Sequence, residues 1–101
     1  MAKSISRARL EKEVERWTIE RFPDALVLKL YKRDWPDRLF LLPKGRAFFV
    51  EFKREGEKLR PGQRLAKKRL EEQGFRVHVI DSQEQGQIII QYESIRAALE
   101  R

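Results

Sequence analysis

Asp37-Arg38-Leu39-Phe40-Leu41-Leu42-Pro43-Lys44-Gly45-Arg46-Ala47-Phe48-Phe49-Val50-Glu51-Phe52-Lys53 is a pair of apolar runs joined by a turn, with an acid towards each outer end. Pro43-Lys44-Gly45 suits a three-residue hairpin loop, with Pro opening a type I turn and Gly in the left-handed position. If Leu42 faces Arg46 across that loop, Asp37 falls opposite Glu51, and a regular ladder brings such Cβ atoms to about 4.5 to 5.5 Å. Period-two alternation puts Phe48, Val50 and Phe52 on one face, and Phe49, Glu51 and Lys53 on the other with Asp37. Two carboxylates facing each other repel unless a cation bridges them. A hard divalent cation such as Mg²⁺, bound through oxygen, meets that need.

Outward from the hairpin, residues 4–22 predict an amphipathic helix carrying Leu10, Val14 and Trp17 on one side. Phe22-Pro23-Asp24 ends it, Leu26 to Tyr31 forms a strand, and Asp34-Trp35-Pro36 turns the chain into Asp37. After the polar loop Arg54 to Arg60, Pro61 opens a helix over Gly62 to Gln73, with Gly74 as its stop. Phe75 to Asp81 predicts a fourth strand, Ser82 to Gly86 a polar turn, Gln87 to Tyr92 a fifth strand, and Ser94 to Glu100 a closing helix. The expected class is α/β: helix, three strands, helix, strand, in a mixed sheet flanked by helices, with residues 1–101 as a single domain.

The chain has 101 residues, no cysteine and one histidine, which excludes thiolate metal sites and multi-histidine zinc centres and leaves oxygen ligands. It contains neither a signal-like apolar leader nor about 18 consecutive apolar residues, so a cytoplasmic protein without a membrane span is expected. A net charge of +7 points to a polyanionic partner, because Lys and Arg displace counterions from phosphate backbones.

Several side chains carry candidate chemistry. Glu51 and Lys53 project together, which serves either an inert salt-bridged strand or a lysine beside a scissile phosphate. Glu13 falls within or beside the apolar stripe of the first helix, with Glu15 as its rival; Glu11 reads as a surface charge. Gln63 faces the sheet, either orienting a ligand or bracing the loop after Lys53. Lys29 is either a phosphate contact or an edge-protecting charge. Arg54, Lys58, Arg60, Arg64, Lys67, Lys68 and Arg69 make either a backbone-contacting rim or a solvated face. His78 reads as structural in preference to a general base, and Trp35 either stacks on a base or wedges its turn, with the turn favoured.

Pro36-Asp37, Glu51-x-Lys53, Lys29, Gln63 and Gly74-Phe75-x-Val77 together resemble the VRR-NUC subfamily of PD-(D/E)XK nucleases, in its compact phage and bacterial form. The resemblance covers about Glu13 to Ser82. It implies a Mg²⁺- or Mn²⁺-dependent endonuclease on branched or irregular DNA, in a bacterial or phage-infected cell. By the same resemblance Asp37 and Glu51 are metal ligands, Glu13 is an additional acid, Lys53 positions or activates water, and Gln63 matches the family's glutamine. Arg38, next to the Pro-Asp, joins Lys29 and the basic rim as an expected DNA contact, and a homodimer would suit a two-stranded substrate. The residues before Pro36 depart from the pattern, with Arg33-Asp34-Trp35 where a Gly is usual. A non-catalytic nucleic-acid-binding module and a sequence-specific restriction-like nuclease are the alternatives.

Overall fold

The computed structural model describes residues 5–99, in the order α1 (Arg7–Arg21), β1 (Leu26–Lys29), β2 (Arg38–Leu42), β3 (Arg46–Phe52), α2 (Pro61–Glu72), β4 (Arg76–Ile80) and α3 (Gln83–Leu99). Four strands form one sheet ordered β1-β2-β3-β4, with the first two pairings antiparallel and β3 parallel to β4. This is the expected mixed sheet. The expected helix start at Ser4 and helix end at Glu100 lie outside the described residues.

The hairpin holds the predicted register, from Leu42↔Arg46 to Arg38↔Val50. Its turn differs from the predicted type I form. Lys44 (φ 69°) and Gly45 (φ 77°) are both left-handed in a short 3₁₀ turn. Pro43 has its φ fixed by its ring, so the two residues after it carry the reversal.

Alternation along the strands builds two layers. Phe40, Leu42, Phe48, Val50 and Phe52 pack with Leu10 and Val14 of α1 and Ile90 of α3 as the main core. Phe40 and Phe48 stack across the hairpin with ring centres 5.4 Å apart. On the opposite face Phe49 and Val77 meet Leu70 of α2. Each fully buried side chain of this size contributes about 1.5 to 3 kcal/mol relative to exposure.

The C-terminal segment overturns the sequence reading. Residues 83–99 form one helix, replacing the expected turn, fifth strand and short helix. The Ile88-Ile89-Ile90 run has the β-branched composition of a strand. Its helical placement is decided by burial at Gly86, Ile90 and Glu93, four and three residues apart. Ser82 caps the helix, its Oγ accepting from the Gln85 amide at 3.1 Å, while the Gln85 side chain accepts from the Asp81 amide at 2.9 Å. Gly86 lets α3 approach α1, since a Cβ there would lie 3.0 Å from a Val14 methyl.

A strand would put Ile88 and Ile90 on one face, whereas the helix buries Ile90 fully and leaves Ile88 60% exposed. Urea unfolding should therefore show Ile90→Ala costing about 2 to 5 kcal/mol. Ile88→Ala should cost about 0.5 kcal/mol or less. Equal costs would contradict the helix.

Candidate active site

Asp37 stands one step beyond the last β2–β3 ladder pair, opposite Glu51. Both neighbouring strands fix it. Its carbonyl accepts from the Leu30 amide at 2.9 Å, and its carboxylate Oδ2 accepts from the Phe52 amide at 2.8 Å. The Asp37 side chain therefore replaces a backbone partner where the ladder ends.

Glu51 is 3% exposed and Lys53 2%, both on β3 or its continuation, where the Lys53 amide donates to the Ile80 carbonyl at 2.9 Å. Lys53 Nζ lies 3.9 Å from Glu51 Oε2, at the outer limit of an ion pair. Gln63 occupies the third position of α2, where its Oε1 accepts from the Arg60 amide at 2.9 Å and its Nε2 donates to Glu51 Oε2 at 3.0 Å. Gln63 thus braces the loop after Lys53, as one of its two sequence readings expects, and also holds the Glu51 carboxylate.

The helix-borne acid at this site is Glu11. It is 8% exposed, and its carboxyl is raised by burial and then by the negative charge of Asp37. Glu13 does not take the expected place: it pairs with Arg9 of its own helix at 2.9 Å. The cause is rotational phase. Successive helical residues turn by about 100°, so positions 11 and 13 point in nearly opposite directions. The buried stripe of α1 is Leu10, Glu11, Val14 and Thr18.

Arg38 is a second correction. It alternates with Asp37, so it faces α1 instead of the rim, where it donates to Glu11 and Glu15 at 3.2 Å each. The rival acid Glu15 is thereby engaged by Arg38. The other expected DNA contacts are exposed, apart from half-buried Lys67. Lys29 and Arg54 line a cleft of about 500 Å³ beside Glu11. Arg60 reaches Asp34 at 3.5 Å, Arg64 donates to the Leu59 carbonyl at 2.7 Å, and Lys67 pairs with Glu71 at 2.9 Å. Lys58 and Lys68 lie exposed on the loop before α2 and on α2 itself. His78 is apart from the site and meets fully buried Glu93 at 2.6 Å, as a structural histidine would.

Charge deficit is the chief property of the site. Burial and the facing Asp37 push the Glu51 carboxyl up to about 7, against the opposing pull of Lys53. An oxygen-ligated cation fits that pair, since Mg²⁺ commonly takes one or two carboxylates and completes its shell with water and phosphate. Among the described residues no three acid or histidine side chains form a complete metal cage.

The VRR-NUC domain model matches residues 3–84. The chain belongs to the VRR-NUC domain family. A solved VRR-NUC domain structure superposes with a TM-score of 0.75 at 31% identity, covering 84% of this chain and 94% of that one. A phage relative, "Putative nuclease p44" of Acyrthosiphon pisum secondary endosymbiont phage 1, is 45% identical over 58 residues, which are 57% of this chain. The matched stretch spans 62% of that relative's length. No described helix of this VRR-NUC chain is long and apolar enough to cross a membrane.

The raised Glu51 value fixes a sign for stability. A group that holds its proton more tightly when folded favours the fold below its unfolded value of 4.5, and that contribution is lost as pH rises through about 7. Glu51→Gln should therefore gain stability over the parent between pH 5 and pH 8, by about 1 to 3 kcal/mol. Thermal melts across that range would show a constant difference if Glu51 titrated normally.

Proposed function

We propose that this chain is a Mg²⁺- or Mn²⁺-dependent endonuclease that hydrolyses phosphodiester bonds in branched or irregular DNA. The carrying observation is the buried Glu51 set opposite Asp37 and held by Gln63, a carboxylate whose proton affinity is raised first by burial and then by the facing acid. Family membership and the nuclease name of the phage relative support the same reading.

Asp37 and Glu51 would hold the cation, which when bound supplies an activated water and offsets charge developing on the phosphate. The chain's own residues do the positioning. The Phe52 amide occupies Asp37 Oδ2, and Gln63 fixes Glu51 Oε2. Lys53, buried against Glu51, offers an ammonium to the attacking water or the phosphate. Glu11, held by Arg38, adds negative charge beside Asp37 from the neighbouring cleft without joining the pair as a third ligand. Lys29, Arg54, Lys58, Arg60, Arg64, Lys67 and Lys68 contact the DNA backbone.

A homodimer suits a two-stranded substrate. Ile88, Tyr92, Ile95 and Leu99 recur at spacings of four, three and four on the exposed side of α3, a face suited to a second copy.

Supercoiled plasmid and a labelled four-way junction, incubated with Mg²⁺ or Mn²⁺, test the reading. Asp37→Ala and Glu51→Ala should each lower the cleavage rate roughly a hundredfold or more, and EDTA should abolish it. Wild-type protein that binds both substrates but cuts neither under either ion would instead identify a non-catalytic binding module.

A further inference from the structure

Next to the carboxylate site, the loop before β2 and helix α2 enclose a groove of about 770 Å³. Trp35, Leu65 and Phe75 supply its apolar lining, and Lys32, Arg33 and Arg69 supply cations. Its acids are Glu72 and Asp34, and Asp34 is already held by Arg60 at 3.5 Å.

Leu65 is 51% and Phe75 44% exposed, a large apolar surface to leave in water on a charged chain. The lining is also built. Trp35 and Phe75 each stand edge-on to buried Phe49, with ring centres 6.1 and 5.7 Å from it, so one core ring braces both aromatics that line the groove. Lys32 Nζ sits 5.8 Å from the Trp35 ring centre. Asp34 adopts a left-handed φ of 68°, uncommon for a residue with a side chain, and a Cβ at Gly62 would collide with its carboxylate. Loop and helix are therefore tightly joined. Asp34 also borders the small cavity that contains Glu51 and Gln63.

An aromatic lining edged by cations matches a nucleic-acid strand with exposed base faces: the ring systems stack and the flanking phosphates meet the cations. A fully paired duplex keeps those faces hidden within its own stack. We propose that this groove receives an unpaired nucleobase of the DNA strand whose phosphate lies at Glu51, so that irregular DNA is selected by stacking on Trp35 and Phe75. The inference rests on the nuclease reading for the placement of that phosphate. Lys32 exchanges the Trp35 ring for a phosphate as the base enters.

Binding in EDTA separates the groove from cleavage. Fluorescence anisotropy would compare a labelled duplex carrying a three-nucleotide bubble with a fully paired duplex of equal length. Wild-type protein should favour the bubble, and Leu65→Glu should weaken bubble binding roughly tenfold, with the preference lost. Because a general charge effect weakens both substrates, the ratio is the readout. In a Trp17→Phe background Trp35 is the sole tryptophan, and oligo(dT) should quench its fluorescence as it binds. An unchanged ratio in Leu65→Glu, or oligo(dT) binding without quenching, would overturn the proposal. Failure of wild type to cut DNA in Mg²⁺ would overturn the nuclease reading while leaving the binding ratio intact.

Discussion

Two carboxylates held against each other where water is scarce dominate this molecule. Folding buries Glu51 and sets it against Asp37, and these two effects, burial first, raise its proton affinity. Lys53 offsets that rise only in part from 3.9 Å. Such an arrangement relaxes either by taking up a proton or by binding a cation. The same residues thus link stability, pH and the proposed chemistry.

The rest of the fold maintains that juxtaposition. The stacked Phe40 and Phe48 and the apolar layer behind them keep β2 and β3 in register, which carries Asp37 to its place across from Glu51. Pairing of β3 with β4 extends to the Lys53 amide and orders the lysine. Helix α1 supplies Glu11 through the stripe that also buries Leu10 and Val14, and α2 supplies Gln63 from its first turn. Three layers converge on one end of the hairpin.

The hairpin was legible because loop length and apolar alternation constrain the same register, and a one-residue slip would turn the core strands inside out. That legibility extended to Asp37, Glu51, Lys53 and Gln63. The helix acid was not legible to the same degree: α1 carries glutamates at 11, 13 and 15, and an error of one position in phase rotates the choice by about 100°. Arg38 was misread because a basic residue beside an acid suggests a solvent rim, whereas alternation turned it inward to Glu11 and Glu15. The three isoleucines of α3 hid a helix behind strand composition, although Ser82 and Gln85 already bore the cap.

Calorimetric titration of Mn²⁺ at pH 6, in two buffers of different ionisation enthalpy, measures directly whether the cation takes over from the proton at Glu51. The parent should bind with proton release, and Glu51→Gln should lose both the release and most of the affinity. Binding with no proton release, equally strong in both proteins, would contradict that exchange.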